Sequence, residues 1–410
     1  MCAEGGIILA STRHGEDGKT WAGMSQGSYK TYASFTHLNR AAGGEGAVTL
    51  SGSATWEVTP KPKADGRQYL DPTRELGQPP PPTGLGDLYY KIDGTGSLMG
   101  YPTQEEADAN FLPSGNYYVV ERDKDGNPKP GGATGNPITV SGYVTFGSPG
   151  DFGDFVIWGG LQAASGGATV KFGPGRYVFA GAKRKAGSPG LVLDASKNMV
   201  MRDYSAPDYY GETEDAGAIF IFTDGKYPGL ELPSSYWNTG LEGDLRQGQV
   251  NIQAGATSNT YVNLHALNPA QAPAALENYK KILFWQDRKN SFVDYGPAGR
   301  AARDLVSGHI AGGDDFVSAR PKSDAEKTRD GMMTGSKWDS PKMTIQASQS
   351  VHLYGVIYQP RGAWLTLIGG NGYSGAMQVI TGALDIRGGA RLTLQELQDT
   401  FTYRTAALVE

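Results

Sequence analysis

From about Ile138 onward, apolar residues come in short alternating runs, and Gly, Asn and Asp stand between the runs. Alternation with a period of two is the signature of strands with one buried face. Two segments repeat. Leu353–Leu367 and Ile380–Leu394, offset by 27, are identical at six of 15 positions: Gly355/Gly382, Gly362/Gly389, Ala363/Ala390, Leu365/Leu392, Thr366/Thr393 and Leu367/Leu394. Val144-Thr145-Phe146-Gly147 recurs as Val170-Lys171-Phe172-Gly173, offset by 26. A unit of this length is too long for one hairpin and carries no helical period. It predicts two or three strands per copy, with Leu365, Leu367, Leu392 and Leu394 inward and Thr366 and Thr393 outward. Glycines fall between the strands, where a corner needs a positive φ or has no room for a Cβ.

The arrangement that stacks equal units so that Leu falls on Leu is an all-β, right-handed parallel β-helix, in which each coil adds one strand spacing of roughly 4.8 Å. Leu367 and Leu394 are then expected to be stacked neighbours. An antiparallel sandwich is the competing architecture, but it gives no reason for a fixed offset. The open ends of a coil present strand edges that must be capped or used for assembly.

Upstream the pattern is less regular. Trp21–Ala42 is polar and weakly helical, and Ala47–Val58 alternates like a strand. The proline run Pro79–Pro82, flanked by Gly77 and Gly84, favours extended polyproline geometry and reads as a stiff surface linker. Gly115–Pro128 reads as a strand entering an Asp-Gly turn, a hairpin signal. The expected organisation is an N-terminal mixed region or cap (1–76), a Pro/Gly-rich linker and hairpin (77–137), the parallel β-helix (138–395) and a C-terminal tail (396–410), with long loop insertions in the coil.

Composition narrows the function classes. Glycine (59) and proline (24) make up about a fifth of 410 residues, against roughly 12% in an average chain, which excludes a coiled coil. A formal net charge of −5 provides no basic field for nucleic acid or an anionic membrane. Cys2 is the sole cysteine, so intramolecular disulfides and cysteine zinc sites are impossible. The longest apolar runs, Ile7–Ala10 and Ala218–Phe222, are far shorter than the roughly 18 residues of a membrane span. Any export signal is therefore expected to have been removed from this sequence.

Four runs occur in this order: Tyr279–Arg288 (YKKILFWQDR), Leu353–Pro360 (LYGVIYQP), Leu365–Gly370 (LTLIGG) and Met377–Gly382 (MQVITG). They resemble the C-terminal glycine-rich region of bacterial tight-adherence (Tad-type) pilus-assembly and related pilus-associated surface proteins. Phe172–Gly181 and Gly217–Thr223 match upstream elements of that region, so the resemblance covers roughly residues 165 to 395. It implies a non-enzymatic extracellular or pilus-associated surface protein with a structural, adhesive or glycan-binding role. The implied partners are pilus or envelope proteins or a surface polysaccharide, at the bacterial cell surface. This chain departs from the family by lacking a membrane-spanning N-terminal helix and by its long insertions Asn268–Asn278 and Asp287–Lys342.

Parallel β-helices also host polysaccharide lyases and hydrolases, which makes such an enzyme the alternative expectation. Pectin-type hydrolases carry Asn-Thr-Asp, Asp-Asp, Gly-His-Gly and Arg-x-Lys motifs in order. Here Asn238-Thr239 is followed by Gly240, and Gly308-His309 precedes Asp314-Asp315, so the order fails and one carboxylate is missing. The acidic aromatic stretch 203–215 is the stronger candidate for binding. Asp203, Asp208, Glu212 and Asp215 are candidate oxygen ligands for calcium. Tyr204, Tyr209 and Tyr210, with Trp237, are candidate rings for stacking on sugars. A solvated loop whose rings anchor it to the coil explains the same letters. Asp123-Lys124-Asp125-Gly126-Asn127 imitates the start of a calcium loop, but Pro128 occupies the glycine position, so it reads as a turn. His14, His37, His265, His309 and His352 show no metal-ligand spacing, and His352 is expected to face outward from its strand.

Overall fold

A computed structural model describes residues 97–183 continuously. It also describes 7–9, 37–38, 48–51, 77–85, 88–90, 191–195, 199–204, 217–223, 227, 229–230, 245–246, 248–253, 261–267, 272–287, 333–334, 337–338, 343–347, 351–369, 373–388 and 392–395. The described chain is mostly β and forms one large, mostly parallel sheet. Among the described residues no helix is long and apolar enough to cross a membrane.

Strand pairing sorts into three ladders, each visited in turn as the chain proceeds. In the first, Ile138, Leu161, Leu193, Val250, Met343, Leu365, Leu384 and Val48 are successive register partners. In the second, Val144, Val170, Met201, Val262 and Val351 follow one another. In the third the column is Phe155, Tyr177, Phe220, Phe284, Ile357, Val379 and Ile7. The buried members of these columns, from Ile138 to Leu365, from Val144 to Val351 and from Phe155 to Val379, belong to one continuous apolar core. Alternation therefore aims one face of every ladder at the same interior. Its densest part is aromatic: Phe155 stacks on Tyr177 at 4.6 Å and 4°, and Tyr177 on Phe220 at 5.3 Å and 21°. Each ring removed from water contributes roughly 1.5–3 kcal/mol.

Glycine makes the corners possible. Gly160, at φ +89, sits between Trp158 and Leu161, and a Cβ there would run into the Val192 carbonyl. Gly355, at φ +143, carries the chain from the second ladder to the third, with Ala266 Cβ 2.5 Å from where its own Cβ would lie. Side chains larger than hydrogen are excluded by backbone angle and by space.

The 26-residue offset is a true stacking register, since Val144 pairs with Val170 and Phe146 with Phe172. The 27-residue offset is not. Leu367 pairs with Ile386 on the first ladder, whereas Leu394 pairs with Gly375, on strands that continue the second. The expected Leu367–Leu394 neighbours are therefore corrected. The step between partners here is shorter, Leu365 to Leu384, so Leu392 and Leu394 fall on the next ladder.

The ladders also draw in residues upstream of 138. Leu88–Tyr90 and Ser97–Met99 pair in parallel at the start of the stack. Ile7–Leu9 pairs with Val379–Thr381, His37–Leu38 with Ile8–Leu9, and Val48–Ser51 with Leu384–Arg387, all in parallel at its far end. Gly115–Arg122 and Pro128–Thr134 form the expected antiparallel hairpin. At its turn, Asp123 Oδ1 accepts from the backbone N–H groups of Asp125 (2.9 Å) and Asn127 (2.8 Å).

The proline run packs onto the outer face of the third ladder, and Pro79 and Pro82 are buried. Carbonyls of this segment accept from three separate stretches of the chain: Pro80 from Arg176 on its strand, Pro79 from Tyr227, and Gln78 from Tyr279 at the end of a short helical turn. Gln78 also donates to Asp287 (2.6 Å) and accepts from Trp285 Nε1 (3.0 Å). Beneath this strap lies a second apolar cluster that includes Val178, Ile221, Trp285 and Tyr358.

Candidate functional site

The alternation that turns Val144, Val170 and Met201 inward turns their neighbours outward. Thr145, Lys171, Arg202, Asn263 and His352 are successive register partners across the outer face of the second ladder, Thr145 and Asn263 buried there and Lys171, Arg202 and His352 partly exposed. Rungs of a parallel ladder are roughly 4.8 Å apart, so these positions form a regular polar column. His352 lies outward as expected, between buried Val351 and Leu353, with its ring 6.0 Å from Tyr261.

A short helix, Gln104–Ala109, closes the upper end of the column. Thr103 caps it, accepting from Glu106 N at 3.2 Å, and Glu105 and Glu106 in its first turn complement the helix dipole. One turn apart, Gln104 and Asp108 face the sheet together, and Gln104 Nε2 donates to Asp108 Oδ1 at 2.7 Å. Asp108 also accepts from Thr145 Oγ1 (2.7 Å) and Lys171 Nζ (2.7 Å), while Arg202 Nη2 donates to Gln104 Oε1 (3.0 Å). Burial alone would raise the Asp108 carboxyl, but hydrogen bonds from Lys171, Thr145 and Gln104 and the Lys171 charge outweigh it and hold the group below the usual carboxylate range. Arg202 Nε is buried and donates no hydrogen bond within the described residues.

Tyr204 closes the same cluster from below. The Lys171 ammonium lies 3.8 Å from the centre of its ring, and its hydroxyl donates to the Gly147 carbonyl at 3.3 Å. Burial, and then the Asp108 charge, pushes the Tyr204 phenol well above its ordinary value. Tyr204 is thus a half-buried anchor with one face taken by a cation. Asp203 is buried as well, and its Oδ2 accepts from both the backbone N–H and Nδ1 of His265, each at 2.8 Å. The His265 ring stacks on Tyr354, its register partner, at 4.3 Å and 10°.

Of the residues singled out in the sequence, Asp203 and Tyr204 are therefore placed, and each is engaged with the sheet. Tyr209, Tyr210, Trp237, Asp208, Glu212 and Asp215 lie outside the described residues, as do His309, Asp314 and Asp315. Among the described residues no three His, Cys, Asp or Glu side chains are grouped to hold a metal ion. Sequence reasoning passed over Gln104, Asp108, Lys171 and Arg202. A signal was present for two of them, because Lys171 and Arg202 interrupt apolar alternation and the 26-residue repeat sets Lys171 on Thr145.

Comparison with protein-family models, with curated proteins and with solved structures returns no match for this chain. The tight-adherence resemblance is carried by the sequence motifs alone.

Proposed function

We propose that the chain is a right-handed parallel β-helix acting as a non-enzymatic binding scaffold of a bacterial pilus or cell envelope, outside the cell, with a surface polysaccharide as its ligand. The coil is supported by the three recurring parallel ladders, and its hand by the rule that parallel crossovers are right-handed. The observation that carries the functional reading is the outer face of the second ladder, where Lys171, Arg202 and His352 are partly exposed at successive positions separated by the buried Asn263. Polar side chains spaced along one ladder suit an extended polymer, since contacts that are individually weak add along its length. Lys171 and Arg202, both partly exposed, favour an acidic polysaccharide through their charge. Asp108 is already neutralised by its own donors and offers little repulsion.

The test is retention of the protein on immobilised acidic and neutral polysaccharides, with Arg202→Gln beside the wild type. Retention on the acidic polymers, reduced several-fold in the variant at an unchanged melting temperature, is the expected result. Equal retention of both proteins, or none of either, overturns the assignment of the column. Release of new reducing ends overturns the non-enzymatic reading. Recovery of the native protein from the cytosol alone overturns the extracellular one.

A further inference from the structure

Two cations stand on adjacent rungs of the second ladder, Lys171 and its register partner Arg202, and one short helix treats them differently. Asp108 presents a carboxylate to Lys171, with Oδ2 2.7 Å from Nζ. One turn earlier, Gln104 presents a neutral amide oxygen to Arg202, 3.0 Å from Nη2. Lys171 is thus held in a neutral pair, backed by the Tyr204 ring. Arg202 meets no carboxylate among the described residues, so its charge stays uncompensated at short range. The pair is also layered. The Lys171 side chain is 13% exposed and the Asp108 side chain 32%, so solvent reaches the carboxylate more readily than the ammonium. An anion arriving from solvent has to take Lys171 over from a carboxylate already bound to it. That carboxylate is fixed in place, because Asp108 Oδ1 also accepts from Thr145 and Gln104, each at 2.7 Å, and Ala107 beside it is fully buried. It competes without further loss of freedom, whereas a polymer must be ordered to bind.

We propose that Asp108 is an internal competitor that sets the specificity of this face: it withholds Lys171, so that the site offers the single free charge of Arg202 and selects sparsely charged acidic polysaccharides over densely charged ones. Adjacent rungs are roughly 4.8 Å apart, so two free cations there would act together on closely spaced anionic groups. One free cation gives no such advantage to a dense polymer. Specificity is a difference of affinities, and an element that weakens the wrong complex serves it as well as one that strengthens the right one. This role for Asp108 rests on the polysaccharide reading and adds to it the charge density of the ligand.

The experiment applies full-length wild type, Asp108→Asn and Glu105→Gln to immobilised polygalacturonate and to the same backbone largely methyl-esterified, and elutes each with salt. Glu105 is exposed on the same helix, so its replacement changes net charge equally without releasing a cation. Asp108→Asn should be retained several-fold more strongly on polygalacturonate, need more salt to leave it, and gain less on the esterified polymer. Adding Lys171→Gln to Asp108→Asn restores the net charge and should return retention to that of wild type. Asp108→Ala gives a second route to a released Lys171, with melting temperatures recorded for every variant. Binding should rise while stability falls, a combination that a purely structural role for Asp108 would not produce. Asp108 variants that elute with wild type or with Glu105→Gln overturn the competitor, and so does a double variant that keeps the gain. Equal gains on both polymers overturn its part in specificity. In each of these cases retention of wild type leaves the polysaccharide reading standing, whereas absence of retention for every protein on both polymers overturns that reading and the competitor with it.

Discussion

Phe146 and Phe172 stack with ring centres 5.9 Å apart and planes at 14°, one on the strand next to the other, just as Val144 pairs with Val170. Both rings are fully buried, and both meet Tyr177 edge-on. Phe172→Ala should therefore empty a site that neighbours on two ladders cannot refill, at a cost of about 3–5 kcal/mol. Chemical denaturation read by tryptophan fluorescence checks this. Phe172→Leu, which keeps most of the volume, should lose less than half as much.

Gly160 leads to a sharper expectation. Its φ of +89 and the Val192 carbonyl beside it together exclude a methyl group. Gly160→Ala should cost roughly 2–4 kcal/mol, from backbone strain and from displacement of the neighbouring strand. Gly166→Ala is the control, since nothing lies within 4 Å of the position its Cβ would take and its φ carries no such strain. A similar loss in both variants would show that the corner is not specifically demanding.

How much of this was legible beforehand depends on what each feature is made of. The strand at Val170–Phe172 and its register with Val144–Phe146 could be read because residues that stack in a core must repeat in size as well as in polarity. Leu367 and Leu394 misled because the same run, Gly-Ala-x-Leu-Thr-Leu, serves the first ladder in one copy and the second in the other, so likeness of letters does not say which side. Asp108 could not be found at all. Nothing near Gln104–Ala109 in sequence says that Thr145 and Lys171 will lie against that helix, because the partners are 37 and 63 residues away. Tyr204 was legible as an aromatic of note, but its role depends on Lys171 and Gly147, which only the fold brings to it.

Asp108 also carries a pH dependence. Its carboxyl is held below the ordinary value of 3.8, so the folded state favours the ionised form. A group depressed on folding stabilises above its unfolded value, and that contribution is lost as pH falls through the folded value. The advantage of wild type over Asp108→Asn should be about 1 kcal/mol at pH 7, given the partial exposure of the site. It should be unchanged at pH 5 and shrink below pH 4. Thermal melts of both proteins at pH 7, 5 and 3 test this, and a gap that widens on acidification would refute the assignment.

Tyr204 separates anchoring from ligand stacking. With Lys171 over its ring and its hydroxyl on Gly147, Tyr204→Ala should lower stability by about 1–2 kcal/mol while leaving polysaccharide retention unchanged. Tyr204→Phe keeps the ring and should lose less than 1 kcal/mol. Loss of retention in the alanine variant at an unchanged melting temperature would make the ring a binding surface after all.

The strap makes the last prediction. Arg176 is buried, holds Asp154 through two parallel hydrogen bonds of 2.7 and 2.9 Å, and donates its remaining fork to the Pro80 carbonyl. It thus ties Gly175–Ala180 to the neighbouring strand Gly153–Trp158 and both to the proline run. Arg176→Met keeps much of the apolar stem but leaves the Asp154 carboxylate without its partner and a strap carbonyl without its donor. The expected cost is about 3–5 kcal/mol, because removing one member of a largely buried pair strands the other. Arg176→Lys should recover only part of it, since an ammonium cannot hold the carboxylate with two parallel bonds and reach the strap as well. Hydrogen exchange gives a local readout that global stability does not. Amides of the third ladder lying under the strap, Val178 and Ile221 among them, should lose protection before those of Val144 and Val170 on the second ladder. Uniform loss across both ladders would mean that the strap is not a separate tie but part of one cooperative unit.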